Sequence, residues 1–450
     1  MTKADLVDVI ADGADLSKIK AEEALNLALD AIKASVAKGN TVQLIGFGSF
    51  SLGSRAARMG RTRAGRADGL GLVFQPARSV QGSGTLAETG ASPGICGFGG
   101  SMTHLWVRAE QRPNEERVGL TPEGAAALVK AGLRVTVEES SVRAIPIDGY
   151  RAAGCEIAAE NLWPQAPSDA IIFGLKELPE DGTPLTHRHI MFGHAYKGQP
   201  AGRELLKRFK AGGGTLYDLE YLVNEDGRRV AAFGYWAGFA GAAVSLKCWA
   251  AQQRGGIAGP VAKYPGKAAL IADLTRELDG LTRPRAIVIG ALGRVGTGAA
   301  DLCSQMGVAV TKWDMAETAS GGPFPEVLEH EIFLNCILAR PGCPVFVPAS
   351  AKTDPRKLTV IGDIACDPTS DFSPIKVYDR ATDWAAPALR VAENPPLDVT
   401  AIDNLPSLLP VESSEDYAAQ LLPSLLTLTD LASGVWGRAK AEYDRHIATV

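Results

Sequence analysis

No stretch of this 450-residue chain is apolar for long enough to suggest a membrane span. The uncharged run at residues 230–246 falls short of the ~20 residues a bilayer requires. It is rich in glycine and alanine, so it is expected to form a buried helix packed closely against its neighbours. A charge excess is also missing: 46 Lys and Arg face 51 Asp and Glu, a net charge of −5, which excludes a global pull toward nucleic acid. The opening residues, MTKADLVDVIAD, carry acids and have no leader-like apolar core, so a cytoplasmic protein is expected. Cys96, Cys155, Cys248, Cys303, Cys336, Cys343 and Cys366 are scattered without paired short spacings. That excludes a zinc-binding or disulfide framework, and reduced thiols with no metal site are expected.

What is present reads as a globular chain, 46% hydrophobic and 22% charged, with length for about three domains. Most of it is organised around residues 285–314. An apolar run at 286–289 leads into Gly290-Ala-Leu-Gly293-Arg-Val-Gly296 and a small-residue segment with helical spacing. A second apolar run at 308–310 ends at Asp314, about 20 residues beyond Gly293. The order strand, tight turn, helix, strand, acid is that of a dinucleotide-binding unit. Gly290, Gly293 and Gly296 let the backbone approach a pyrophosphate, and the helix N-terminus offers free N–H groups. An acid at 314 accepts from ribose hydroxyls and repels a 2′-phosphate, which favours NAD over NADP.

Residues 2–38 carry two helical patterns, capped by Thr2 and Ser17, and residues 42–58 read as a strand, a Gly-Phe-Gly turn and a second strand. Val42-Gln-Leu-Ile-Gly-Phe-Gly-Ser-Phe50 and Arg55-Ala-Ala-Arg58 resemble the HU and integration-host-factor family of small dimeric DNA-bending proteins, over residues 1–65. After Gly60 the likeness fails: Gly60-Arg61-Thr62-Arg63 has no proline of the kind that tips that family's minor-groove arm. Residues 66–101, rich in Gly and Ser, read as a linker or disorder. Arg55, Arg58, Arg61, Arg63 and Arg66, with no acid among them, suit weak nonspecific DNA binding. The break between 60 and 65 reads as a frame change joining two genes, with Met102 the original start of an enzyme.

From Met102 a second α/β pattern begins. Val107-Arg-Ala-Glu110 and Glu115-Glu-Arg117-Val-Gly-Leu-Thr-Pro122 resemble the start of both alanine dehydrogenases and lysine-forming saccharopine dehydrogenases. Apolar runs that end at Lys176-Glu177 and at His194-Ala-Tyr-Lys197-Gly-Gln199 place polar groups at strand C-termini, the ligand crevice of an open parallel sheet. Residues 214–222, Gly227-Arg-Arg229-Val-Ala-Ala-Phe233-Gly, residues 237–243, Lys312-Trp-Asp314 with Glu317-Thr318, and residues 403–410 resemble the NAD-dependent saccharopine dehydrogenases. The likeness runs from about residue 105 to 446, with Val295 standing where some members carry a cysteine.

The expected fold class is therefore α/β: two Rossmann-like lobes with a discontinuous substrate lobe, preceded by an incomplete HU-like α+β segment. The resemblance implies a substrate lobe at 102–230 and 405–450 and an NAD lobe at 231–404. It also implies NAD-dependent oxidative deamination of saccharopine, by hydride transfer and then imine hydrolysis. By resemblance Lys176 is the base that frees the amine, and His194 the acid-base group of hydrolysis. A lysine needs burial or nearby positive charge to work near neutral pH, whereas a histidine is already in range. Glu177 and Glu220 would oppose the lowering of the lysine and tune it. Arg117 suits a substrate carboxylate. Lys197 and Gln199 would line the same wall, and Arg229, Phe233, Arg294 and Thr318 the cofactor side. The rival readings are an alanine dehydrogenase-like enzyme and an architectural DNA-binding protein carrying an enzyme fold.

Overall fold

The computed structural model describes residues 102–450 throughout and, before them, helical Lys18, Lys20, Ala21, Glu22, Leu25 and Asn26 and three strands. The chain divides into two compact units, Met1–Gly97 and Phe98–Val450. In the first, β1 (Val42–Leu44), β2 (Gly48–Gly53) and β3 (Gly71–Pro76) form an antiparallel sheet in that order. β3 places a strand at Gly71–Pro76 within the stretch 66–101 read as linker or disorder. It pairs with the whole of β2, from Gly48 opposite Pro76 to Gly53 opposite Gly71. Leu72-Val73-Phe74 is a short β-prone run, a strand signal masked by the Gly- and Ser-rich composition around it. The first expected helix and Arg55, Arg58, Arg61, Arg63 and Arg66 lie outside the described residues.

The second unit begins with β4 (His104–Val107), α1 (Pro122–Lys130), β5 (Arg134–Glu138), α2 (Ile147–Ala152), β6 (Glu156–Ala158), β7 (Ile171–Phe173), β8 (Arg188–Met191), α3 (Pro200–Gly212) and β9 (Thr215–Asp218). α1 starts where the sequence predicts: the Thr121 hydroxyl accepts from the Gly124 N–H, Pro122 opens the helix, and Lys130 ends it. The six strands run parallel in the order β6-β5-β4-β7-β8-β9. The chain leaves β4 for one edge and returns to the other, so the crevice opens beyond the C-terminal ends of β4 and β7.

The second lobe repeats the plan with α4 (Gly234–Gln253), α5 (Lys267–Glu277), β10 (Arg285–Ile289), α6 (Arg294–Gln305), β11 (Ala309–Trp313), α7 (Met315–Thr318), α8 (Pro325–Leu328), β12 (Ile332–Asn335), β13 (Val360–Asp363), β14 (Leu389–Glu393) and β15 (Pro396–Thr400). Its order is β11-β10-β12-β13-β15-β14, parallel except that β14 runs against β15. Here the switch falls between β10 and β12.

Two last helices, α9 (Pro410–Leu425) and α10 (Gly434–Ile447), return to the first lobe. Tyr417, Leu421, Leu425, Trp436 and Ala439 are buried in the same cluster as Leu105, Val137, Phe173 and Ile190. The uncharged run forms α4 from residue 234, buried from Gly238 to Ala250 save Lys247. It packs on α6 at backbone contact: a Cβ on Gly238 would lie 1.8 Å from the Val295 oxygen, and one on Gly298 1.9 Å from the Tyr235 oxygen. Among the described residues no helix is long and apolar enough to cross a membrane.

Candidate active site

Lys176 lies three residues beyond β7, on a turn fixed from both sides. The Glu110 carboxylate accepts from the N–H groups of Leu175 at 2.6 Å and Lys176 at 3.0 Å. Buried Arg108 donates to the Lys176 carbonyl, and a Cβ on Gly174 would meet its guanidinium at 2.4 Å. Burial pushes the Lys176 ammonium below its usual range, and the Arg117 guanidinium pushes the same way. Glu115 pulls upward, with Glu177 a smaller influence of that sign.

His194 follows β8 and stands in the left-handed region, φ 47°. Its Nε2 lies 3.1 Å from Glu177, and its Nδ1 lies 3.6 Å from Glu220, an ion-pair contact beyond hydrogen-bond length. The Glu220 carboxylate raises the His194 pKa against the opposing effect of burial, and Glu177 adds to the rise. Glu220 itself is drawn down to about 2, by His194 first and then by Lys197, whose ammonium donates at 2.8 Å. Arg229 stands 3.8 Å from the same carboxylate. Beneath them Asp218 is fully buried and its carboxyl is pushed up to about 6 by that burial. It accepts from the Gly193 N–H at 3.2 Å and the Glu220 N–H at 2.9 Å, which ties the turn carrying His194 to the turn carrying Glu220. Gln199 caps α3 and, with His194, Glu177 and Arg112, lines a cavity of about 470 Å³. A larger cavity of about 830 Å³ lies between α4 and α5 around Lys247, Asp273 and Glu277 and shares none of these residues.

Three expectations change here. Glu220 acts on His194 and not on Lys176; the acid nearest in effect to the lysine is Glu115. Arg117 is buried, and its fork already donates to Glu115 at 2.8 and 2.7 Å and to Asn404 at 3.0 Å, with Nη1 taking no partner among the described residues. Arg229 and Phe233, expected on the cofactor side, sit with the first lobe instead. Phe233 stacks on Tyr417 at 4.2 Å and carries the Arg117 guanidinium 4.2 Å from its ring centre. Phe233, with Val230 and Ala231, packs against the first lobe's core, and Arg229 reaches Glu220 of the same lobe. Sequence reasoning passed over Glu115, Asn404 and Asp218. All three stand inside stretches singled out for other residues, and their roles arise from burial and long-range pairing.

In the second lobe the three glycines divide their work. Gly290 has φ +89°, and a Cβ there would lie 2.5 Å from Ile337. One on Gly296 would lie 2.2 Å from the Gly290 oxygen, so this glycine lets α6 close on the loop. A Cβ on Gly293 would meet only the Gly290 oxygen, at 3.5 Å, leaving its face open to a ligand. Gly293 also begins α6, and no side chain caps that helix. Open backbone at an uncapped helix start fits a pyrophosphate. Asp314, at the end of β11, accepts from the Leu292 N–H at 3.0 Å and the Met315 N–H at 2.9 Å. It thereby holds the glycine loop as well as facing it. Glu317 accepts from the Asp314 N–H at 2.7 Å, and the Thr318 hydroxyl donates to the Asp314 carbonyl at 3.0 Å. Arg294 reaches across to Gln420 of α9. Leu292 and Met315 are each 83% exposed beside the acid, an apolar rim of the kind an adenine ring covers.

Two doubly wound lobes, one presenting a lysine and a histidine at its strand ends and the other an open glycine loop with an acid at the end of the next strand, define a dinucleotide-dependent dehydrogenase fold. Residues 106–240 match the alanine dehydrogenase/PNT N-terminal domain family. The solved structure of an L-alanine dehydrogenase aligns with a TM-score of 0.54 at 18% identity, covering 76% of this chain and 94% of that one, a likeness of fold alone. The saccharopine dehydrogenase [NAD(+), L-lysine-forming] of Candida albicans is 46% identical over 370 residues, covering 76% of this chain and 97% of that protein. The chain belongs to the family of NAD-dependent, L-lysine-forming saccharopine dehydrogenases. Its first 66 residues match the bacterial DNA-binding protein family. DNA-binding protein HU of Haemophilus influenzae is 56% identical over 61 residues, 14% of this chain and 68% of that protein.

Proposed function

We propose that this chain oxidises saccharopine with NAD to L-lysine and 2-oxoglutarate, and runs the reverse reaction. The observation that carries the reading is the pair of opposed shifts at the first lobe's strand ends, Lys176 pushed down and His194 pushed up. Each moves toward the range in which a proton can be both taken and returned.

Saccharopine joins the lysine side-chain nitrogen to the α-carbon of a glutamate skeleton. Lys176, as the neutral amine, takes the proton from the substrate's secondary ammonium and frees the nitrogen lone pair. When bound, NAD would supply the acceptor for the hydride that leaves that α-carbon as the carbon–nitrogen double bond forms. His194 removes a proton from the attacking water and returns it to the departing lysine nitrogen. Glu177 and Glu220 hold His194 between them, while Lys197, Gln199 and the free Nη1 of Arg117 are the donors for substrate carboxylates. Gly290, Gly293 and Gly296 with the start of α6 would hold the pyrophosphate, and Asp314 the adenosine ribose. Arg294 and Thr318 flank that site, whereas Arg229 and Phe233 act at the junction of the lobes. The lobes divide at about 230/231 and 404/405. A cytoplasmic location is part of this reading, with the six described cysteines as free thiols. The N-terminal segment adds at most weak nonspecific DNA binding.

The test is NADH formation with saccharopine or alanine as substrate and NAD or NADP as oxidant. Activity with saccharopine and NAD alone is expected; faster turnover of alanine would replace this reading with that of an alanine dehydrogenase.

A further inference from the structure

The second lobe buries an ionisable cluster that none of this chemistry uses, at the C-terminal ends of β12 and β13. Asp363, the last residue of β13, is 2% exposed, and Asn335, the last of β12, is 1% exposed. The Asn335 amide donates to Asp363 Oδ1 at 2.8 Å, and the Tyr378 hydroxyl donates to Oδ2. Both carboxylate oxygens are therefore acceptors, and an acid in place of Asn335 would set carboxylate against carboxylate. Burial pushes the Asp363 carboxyl upward, against the pull of the tyrosine and amide donors.

What this cluster fixes lies at the lobe's switch point. Asn335 leads directly into Cys336 and Ile337, and it is this turn that meets the glycine loop: a Cβ on Gly290 would stand 2.5 Å from Ile337 Cγ2 and 2.9 Å from the Cys336 oxygen. The Cys336 N–H donates to the Ile289 carbonyl at 2.9 Å, one residue before Gly290. On the other side the Ile364 N–H donates to the Asn335 carbonyl at 3.1 Å, and the Cys366 N–H to the Asp363 carbonyl at 3.2 Å, with Cys366 held at φ 50°. The cluster thus pins two crevice turns and, through the first, the floor of the glycine loop.

We infer that Asn335, Asp363 and Tyr378 are positioning residues for the dinucleotide, setting the turn on which Gly290 rests and through it the loop that receives the pyrophosphate. They touch neither substrate nor the reacting atoms. The inference rests on the proposed reading of this lobe as the NAD site.

NADH binding to the full chain tests it, followed by fluorescence titration together with kcat at saturating NAD. Asn335→Asp sets two carboxylates in contact and is expected to weaken NADH binding about tenfold, the scale of one lost buried hydrogen bond, whereas Asp363→Asn keeps an acceptor for the Asn335 amide and should weaken it less. Turnover at saturating NAD should stay within about twofold, because Lys176 and His194 are untouched. The double exchange, Asn335→Asp with Asp363→Asn, restores a donor facing an acceptor and should recover affinity to within about threefold of wild type. Tyr378→Phe keeps the ring, serves if the single exchanges do not fold, and should weaken binding in the same direction. Unchanged NADH affinity in Tyr378→Phe and in Asn335→Asp would overturn the inference, as would a double exchange no better than Asn335→Asp alone. A wild-type chain that bound no NADH would instead overturn the parent reading and take the inference with it.

Discussion

The two lobes of the enzyme unit carry the same parallel, doubly wound sheet and present opposite kinds of surface at their switch points. Beyond β7, β8 and β9 the first lobe concentrates charge: Lys176, His194, Glu177, Glu220, Lys197 and Arg229, with buried Asp218 and the Glu115–Arg117 pair beneath. Beyond β10 and β11 the second offers backbone, three glycines and an uncapped helix start, with Asp314 as the acid that holds the loop. On the proposed reading one fold serves two tasks, and the task is written in the side chains at the strand ends. Moving protons requires groups whose charge can change, and burial and neighbours tune them. Holding a dianionic pyrophosphate requires fixed N–H dipoles that do not titrate.

That contrast is broken most severely by removing the lysine. Lys176→Met should lower turnover by about 10² to 10⁴, the usual worth of one acid-base group, while NADH titration remains near wild type. A comparable loss of NADH affinity would show that the charged lobe also binds the cofactor. Next in size is Asp314→Ala, which removes a charged acceptor and frees the Leu292 N–H. KM for NAD should rise about 10- to 100-fold and the preference against NADP should relax, with kcat at saturation little changed. Unaltered kinetics would remove Asp314 from the cofactor site.

A smaller effect sharpens the picture within the first lobe. His194 is raised mainly by Glu220, so Glu220→Gln lowers its pKa, and the acidic limb of the pH–rate profile should move to lower pH. The same pair carries a linked stability. The raised His194 contributes below its unfolded pKa and loses that contribution as pH rises through its folded value. The depressed Glu220 contributes above its ordinary value and loses it as pH falls toward about 2. An acidic limb that stays in place in the glutamine variant would detach Glu220 from His194. The smallest effect expected is from a chain beginning at Met102, whose kcat and KM should match those of the full chain, since every residue assigned here lies beyond it. An inactive truncated enzyme would give the HU-like segment a part in catalysis.

The sequence made the second lobe's site easier to read than the first's. Gly290, Gly293, Gly296 and Asp314 form a local pattern, strand, turn, helix and acid, in which spacing alone predicts the geometry. Lys176 and His194 were legible as polar groups at strand ends, with their roles supplied by resemblance. Asp218, Glu115 and Asn404 were not, because nothing local distinguishes a buried carboxylate that ties two turns together from a solvated one. Asn404 meets Arg117 only across 287 residues of chain. Arg229 and Phe233 lie on the crossing between lobes, and the face on which such a segment packs, decided by tertiary contact such as that of Phe233 with α9, was not legible in the sequence. β3 was missed for a different reason, its apolar run being only three residues within a glycine-rich stretch.

The most direct test of divided labour is a double-variant cycle on kcat/KM for NAD with wild type, Lys176→Met, Asp314→Ala and the combined variant. If the lobes act independently, the combined loss is the product of the single losses to within about twofold, as for residues that share no partner. A combined variant no worse than Lys176→Met alone would mean that proton transfer and cofactor binding are a single coupled site, and would contradict the account.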